Sequence, residues 1–534
     1  MNVKFIFFCL GILLKVLALI LIIPALIAFL EIPLKIFPKI LFDPRLLGFL
    51  IAIVSSFVCG IFLSASGSKE LTGTGIREGF AIVTFSWFLS AFFGSIPLLV
   101  YFLSQTEAIT VNTVIHAFSN AYFEIMSGFT TTGATILTNV EVLPRGILFW
   151  RSLTHWLGGM GIVTLALAIL PAFGIAGYQM LRGEVPGPTT ERFKPRLAQT
   201  AKILWGVYAL MTLVEVILLK LGGMSLFDAL CHSFGTMATG GFSTKNASLA
   251  AYNSAYIHWV ITIFMFLAGM NFIIHYRILF TRKLDFIRRN REFHFYITVI
   301  LTAVIISTFI LQTRGIAPKE QISKSFRSQP LSEKELTEKI VIEKSKINSF
   351  NNTLRHAAFQ TISITTTTGY CVADFDAWPN ILRYMLVILM FFGGCAGSTG
   401  GGIKMIRIMI IIKTALREVK TLIQPRIILP IKIAGKTIEE KQVTNIIGFV
   451  TLFLIAFVIF SAIMSYMIED FTTAITAVAA TMCNIGPGLS GIGAAENYAW
   501  IPLPGKWILT LCMLLGRLEI YTVFIVLSPV SWRK

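Results

Sequence analysis

Charge is scarce in this chain. Only 13% of its 534 residues are Asp, Glu, Lys or Arg, where a soluble protein carries roughly 25%. Acidic residues are the scarcer half: 27 Asp and Glu stand against 45 Lys and Arg, a net charge of +18. The seven cysteines (Cys9, Cys59, Cys231, Cys371, Cys395, Cys483 and Cys512) form no CxxC pair and lie mostly in apolar context. That spacing argues against structural disulfides and a metal site. His155, His232, His258, His275, His294 and His356 are scattered, with no HExxH and no second ligand at metal spacing. A glycine-rich run at 393–402 is followed by Ile403, so it is not a GxxxxGK[ST] loop, and Ala396 spoils a GxSxG elbow. With neither a nucleophile and base in register nor a metal set, the chain reads as no enzyme, and no organic cofactor is expected. In a soluble protein the basic excess would point to nucleic acid. Here the basic residues gather in a few loops between apolar runs, so they report topology and lipid contact, and no nucleic-acid partner is expected.

What the chain has instead is apolar sequence: 55% of it is hydrophobic and the mean hydropathy is +0.77. About 20 apolar residues are needed to cross a bilayer. Ten runs meet that need, near 5–30, 46–65, 80–103, 147–173, 201–221, 256–280, 295–312, 381–412, 443–468 and 506–528. The first is too long for a signal-peptide core and lacks a clear cleavage site, so it is read as a retained span. Four shorter apolar stretches remain, near 112–127, 226–237, 351–364 and 470–482. Each follows one span, precedes another, and ends in a Thr/Gly-rich segment.

The unit of span, short helix, glycine loop and span therefore recurs four times. The expected fold is an all-α polytopic membrane protein with ten transmembrane helices and four re-entrant pore loops around one pore. Residues 1–70 hold two N-terminal transmembrane helices. The membrane–pore–membrane repeats occupy 71–190, 191–290, 291–430 and 431–534.

The four loops carry the candidate site. They place Thr131, Thr132 and Gly133; Ala238, Thr239 and Gly240; Thr367, Thr368 and Gly369; and Asn484, Ile485 and Gly486 at membrane depth. Non-helical backbone is tolerated there only when it is buried in protein or lines a watery cavity. Glycine permits unusual dihedrals, threonine adds oxygens, and the C-terminal ends of the short helices favour a cation. No Asp or Glu ring stands in the loops, so selectivity would come from neutral oxygen dipoles. One such loop alone reads as an ordinary turn; four in register read as one cation filter. The fourth is the weakest match, with Asn484 and Ile485 in place of threonines.

Basic residues set the orientation. With the N-terminus cytoplasmic, the inner loops hold Arg182, Arg192, Lys194 and Arg196; Arg277, Arg282, Lys283, Arg288, Arg289 and Arg291; and a run from Lys404 to Lys441. Arg533 and Lys534 put the C-terminus inside as well, and the four loops enter from outside. Segment 314–350 is the exception: it would be external yet holds eight Lys/Arg and five Glu.

The motifs Ser127–Thr135 (SGFTTTGAT), His155–Gly161 (HWLGGMG), Ala238–Ser243 (ATGGFS), Thr365–Tyr370 (TTTTGY), Gly393–Gly402 (GGCAGSTGGG) and Asn484–Gly488 (NIGPG) together resemble the Trk/Ktr/HKT superfamily of potassium transporters, and its TrkH branch in particular. The resemblance covers almost the whole chain. It implies one filter glycine per repeat, by position Gly133, Gly240, Gly369 and Gly486, and potassium as the ion held at the filter residues. It also implies a homodimer in the cytoplasmic (inner) membrane and a peripheral, cytoplasmic, nucleotide-binding TrkA-like regulatory ring. The chain has no nucleotide motif of its own, so nucleotide control would act through that ring.

Six of the ten residues 393–402 are glycine, enough to break a helix at about 1 kcal/mol each. Close helix packing is the plainer explanation, but it normally uses spaced glycines. By resemblance this is an intramembrane gate loop, with Gly397, Ser398, Thr399, Gly400 and Gly401 as its candidates and Arg517 as the pore arginine below the filter. An intramembrane arginine is functional by default, unless it snorkels to the lipid boundary. Local pairing with Glu519 is disfavoured, because residues two apart on a helix do not face each other. Asp228 and Asp470 are expected to cap the second and fourth short helices. Glu124 would either add negative potential or hydrogen-bond within the protein. The expected activity is potassium uptake through a channel-like pore. The alternative is a symporter coupled to sodium or protons, with Glu124 and Glu519 as candidate relays.

Overall fold

A computed structural model describes residues 1–33, 39–68, 75–161, 197–281, 288–325, 332–427, 429–433 and 436–532. The described residues are mostly helical; a short hairpin of β1 (Lys432–Ile433) with β2 (Lys436–Thr437) is a minor exception. The long helices are α1 (Val3–Glu31), α2 (Pro44–Ser66), α3 (Ile76–Ser104), α6 (Leu197–Leu221), α10 (Arg291–Arg314) and α16 (Glu440–Met467). Among the described residues these six are long and apolar enough to cross a membrane. Their outward faces carry exposed Leu19, Phe62, Ile305, Phe309 and Val458. So much apolar surface would be a liability in water and suits lipid.

Four short helices alternate with them: α4 (Val111–Phe129), α7 (Leu226–Met237), α13 (Phe350–Thr365) and α17 (Phe471–Met482). At 1.5 Å per residue, a 12-residue helix such as α7 is about 18 Å long, against a hydrocarbon core of about 30 Å. Each starts at a side-chain cap: Thr110, Ser225, Ser349 and Asp470 accept from the backbone N–H three residues on. Asp470 is thus the expected cap. Asp228 is not the capping residue itself; it sits in the first turn and accepts from the Ser225 hydroxyl at 2.9 Å.

Three of the expected spans are not straight rods. The sixth is α8 (Ala255–Ala268) and α9 (Phe272–Tyr276), which runs on as a π turn; the two parts are bent by 103°. Asn271 caps the restart by accepting from Ile273 N–H at 2.8 Å. The tenth is α18 (Leu503–Arg517) and α19 (Ile520–Leu527), bent by 113° at Glu519, whose φ is +59°. The eighth divides into α14 (Asn380–Phe391) and α15 (Met405–Ile423), separated by the glycine-rich segment. Counting the 103° and 113° pairs as one span each gives up to eight among the described residues. The fourth expected span begins as α5 (Arg145–Gly159), and its remainder, 162–173, lies outside the described residues. So do Arg182, Arg192, Lys194, Arg196, Arg282, Lys283, Arg533 and Lys534.

The N-terminal pair packs closely. A Cβ on Gly11 would sit 2.5 Å from Ser64 N and 2.7 Å from Gly60 O, so small residues let these two backbones approach, as at membrane helix interfaces.

The described parts of the mixed-charge segment are attached to the fold. Its helices α11 (Lys319–Ser325) and α12 (Glu333–Ser345) bury Ile322 and Leu336 with Ala317 and Ala377. Ala317 N–H donates to Ala377 O at 2.8 Å, and Lys339 pairs with Asp374 at 2.9 Å. Asp376 joins this cap to the fourth repeat: it accepts from Ser490 N–H and from Arg383, each at 3.0 Å. Burial, with the neighbouring Asp374 charge, pushes the Asp376 carboxyl up to about 7.

Candidate functional site

The four glycine loops share one backbone pattern. Thr131, Thr239, Thr367 and Asn484 all have φ between +53° and +60°. The residue after each donates its N–H five residues back: Thr132 to Ser127, Gly240 to Gly235, Thr368 to Ser363 and Ile485 to Ala480. Two positions beyond the first residue stands a glycine with φ between +79° and +99°: Gly133, Gly241, Gly369 and Gly486. The second loop therefore runs Thr239–Gly240–Gly241. The sequence register, Ala238–Thr239–Gly240, is one residue early, and Ala238 is the helix C-cap instead.

The loops also close on one another in chain order. A Cβ built on Gly133 would lie 2.1 Å from Gly240 O; on Gly241, 2.1 Å from Thr368 O; on Gly369, 1.8 Å from Ile485 O; on Gly486, 2.7 Å from Thr132 O. Each glycine thus faces the carbonyl of the next loop, and the fourth returns to the first. Only residues without a Cβ permit that approach. Threonine hydroxyls brace the ring. Thr130 and Thr132 are 2.8 Å apart, as are Thr366 and Thr368. Asn484 donates to Thr132 Oγ1 at 2.9 Å and so replaces the missing threonine of the fourth loop.

Behind each of the first three loops a buried side chain holds its exit. Glu124 accepts from Ile136 N–H and from the Thr135 hydroxyl, both at 2.9 Å, and is paired with Arg151 at 2.7 Å. Of the two readings of Glu124, internal hydrogen bonding is the one realised. His232 bonds Ser243 at 2.9 Å, and Gln360 donates to Tyr370 O at 3.4 Å. Glu124, His232 and Gln360 hold the same position relative to their loops, three residues before Ser127, Gly235 and Ser363. The sequence showed His232 only as one of several scattered histidines; counting back from each loop would have aligned it with Glu124. His155 stacks on Phe242 at 4.0 Å and accepts from its N–H at 3.4 Å, as a buried core histidine.

Directly against the C-terminal ends of the short helices lies the glycine-rich segment. Thr399 donates to Met237 O at 3.0 Å, and Gly401 N–H donates to Thr367 Oγ1 at 2.7 Å. A Cβ on Gly401 would meet Cys483 O at 2.5 Å. Gly397 has φ +77° and packs on Asn271, Ser398 N–H donates to Cys395 O, and Gly400 lies against Thr366 O. Arg517 donates to Thr399 O at 2.7 Å, to Gly159 O at 3.0 Å and to Gly158 O. It therefore ties the fourth repeat to the first and to this segment. Glu519 is not its partner; that carboxylate takes Arg407 at 2.8 Å. Lys404 reaches back to Gly400 O. The segment and two cationic side chains thus lie immediately beside the ring, on the side where the short helices end. Among the described residues no three His, Cys, Asp or Glu are grouped to hold a metal ion.

A family profile described as a TrkH cation transport protein matches residues 48–534. The Trk system potassium uptake protein TrkH of Salmonella typhimurium is 38% identical over 460 residues, 86% of each chain. The Escherichia coli protein of the same name is 37% identical over the same share, and Escherichia coli TrkG is 31% identical over 459 residues. The crystal structure of the potassium transporter TrkH from Vibrio parahaemolyticus is similar over 100% of both chains, with a TM-score of 0.80 and 31% identity.

Proposed function

The chain belongs to the TrkH family of cation transport proteins, and from that premise we propose that it is an integral membrane protein that takes up potassium through a channel-like pore. The observation that carries the reading is the closed ring of loops. Each positive-φ glycine abuts the next loop's carbonyl in the order first, second, third, fourth, first. Such a ring supplies backbone oxygens in place of an ion's water shell. Thr131–Gly133, Thr239–Gly241, Thr367–Gly369 and Asn484–Gly486 are its members. The short helices add their negative ends below it.

With the N- and C-termini in the cytoplasm the loops open to the outside. The membrane potential then draws each ion inward with about 2.3 kcal/mol per 100 mV. Gly397–Gly401 closes the path on the inner side, and Arg517 adds a positive charge there that opposes a cation. The protein works as a homodimer in the inner membrane, with a TrkA-like ring on its basic inner face.

The coupled-symporter reading loses its two sequence candidates, because Glu124 and Glu519 are paired with Arg151 and Arg407. One observation favours it: Glu215, buried in α6 beside Thr236, forms no ion pair among the described residues. The test is cation flux into proteoliposomes at a clamped potential. Potassium and rubidium flux well above sodium, without a second gradient, is the expected result. Flux that requires a proton or sodium gradient, and loses that requirement in Glu215→Gln, would replace the channel by the symporter.

A further inference from the structure

We infer that Glu292 is a positioning residue that holds the glycine-rich segment closed and links it to the basic stretch before α10; this rests on reading that segment as the gate. Glu292 is the second residue of α10 and only 7% exposed. Its Oε1 accepts from two backbone N–H groups, Ala396 at 2.6 Å and Ile406 at 3.2 Å. These lie ten residues apart, on either side of Gly397–Gly402. One oxygen atom therefore clasps both ends of the segment. The Ile406 N–H also belongs to the first turn of α15, where a carboxylate is favoured by the helix dipole.

The remaining tethers are of another kind. Cys395 N–H donates to Gly269 O at 2.9 Å, Phe272 N–H donates to Gly397 O at 3.0 Å, and Asn271 donates to Ala396 O at 2.6 Å. All three come from the break between α8 and α9. Arg517 and Lys404 hold the tip through the Thr399 and Gly400 carbonyls. Glu292 is the acidic side chain among these tethers, and it comes from the start of a long helix. Arg288, Arg289 and Arg291, just before it, are exposed. A slide of α10 by one helical turn, about 5.4 Å, carries Oε1 out of hydrogen-bond range of both N–H groups. Movement of that basic stretch therefore loosens both ends of the segment, leaving its tip held by Arg517, Lys404 and the Thr399 and Gly401 contacts.

The test uses the full-length protein in proteoliposomes with two readouts. One is potassium flux at clamped potential. The other is labelling of Cys395, which is 1% exposed beside Ala396, by a neutral thiol reagent, with the modified cysteine located by mass spectrometry. Losing the two hydrogen bonds that Oε1 accepts shifts a two-state balance by about tenfold or more. Glu292→Ala is expected to raise both flux and Cys395 labelling by about that factor. Glu292→Asp, too short to reach both groups, does the same and serves where the alanine variant does not fold. Glu292→Gln keeps a carbonyl oxygen at the Oε1 position and stays close to wild type in both readouts. Unchanged flux and labelling in the alanine and aspartate variants overturn the inference. So does raised flux with Cys395 still protected, or a glutamine variant that behaves like alanine. Wild-type protein with no potassium flux would instead refute the proposed function, and the labelling pattern would still report on the clasp.

Discussion

The ring geometry makes a graded prediction for alanine at its glycines. A Cβ at Gly369 would stand 1.8 Å from Ile485 O, at Gly241 2.1 Å from Thr368 O, and at Gly486 2.7 Å from Thr132 O. Contacts below 3.0 Å do not persist, so the opposing carbonyl has to retreat by about 1.2, 0.9 and 0.3 Å respectively. The three φ values, +81°, +79° and +99°, are similarly foreign to alanine. The intrinsic backbone penalty, about 1–2 kcal/mol, is therefore much the same at each, and the contact distances supply the difference. A carbonyl that moves back by about 1 Å from a cation some 3 Å away loses roughly a quarter of its Coulomb attraction. A coordination site that discriminates potassium from sodium through those oxygens should lose selectivity in the order Gly369→Ala, Gly241→Ala, Gly486→Ala. Gly240→Ala is the register control: its Cβ would meet the His155 ring first, at 2.5 Å. It should lower flux or stability while the protein that conducts keeps its selectivity. The assay is potassium, rubidium and sodium flux into proteoliposomes at clamped potential, with stable, monodisperse protein required of each variant. Equal selectivity in Gly369→Ala and wild type would refute the carbonyl ring. Loss at Gly240 in place of Gly241 would refute the register.

Arg517→Ala removes a positive charge and three carbonyl contacts beside the ring and should raise potassium flux; unchanged or lower flux at normal expression would count against its role as a barrier. Glu124→Ala leaves Arg151, 2% exposed, without its carboxylate. Breaking a buried pair costs about 3–5 kcal/mol, so a clear drop in thermal stability in detergent is expected, and a shift of under one degree would contradict it. Burial and the neighbouring Asp374 charge raise the Asp376 carboxyl from the usual carboxylate range to about 7 in the folded protein. The folded state therefore binds the extra proton, and this contribution to stability falls as pH rises from about 4 to about 7. Glu343, pushed up by burial, has the same sign. Asp376→Asn should flatten the melting-temperature profile over that range, and an unchanged slope would show that the cap does not titrate there.

Much of this architecture was legible from hydrophobic run length alone. A stretch that cannot reach across a bilayer, followed by Thr and Gly, has few places to go. The four half-length helices accordingly fall within a few residues of their expected bounds. The interruption of the eighth span was equally readable, because six glycines in ten act locally on the backbone. The sharp bends at Asn271 and Glu519 were not, since apolar sequence resumes beyond both and each stretch reads as one span.

The sequence by itself thus determined the long apolar helices, the half-helices and the break at 393–402, because length, hydropathy and backbone propensity are properties of neighbouring residues. Tertiary structure decided which of two adjacent glycines, Gly240 or Gly241, joins the ring. Both suit the loop locally, and only the Thr368 carbonyl arriving from another repeat distinguishes them. It also decided the partners of the buried charges. Glu124 meets Arg151 across 27 residues, Arg407 meets Glu519 across 112, and Glu292 meets Ala396 across 104. A buried charge must find a counter-charge or a donor, but which one it finds is fixed by the packing of helices far apart in the chain.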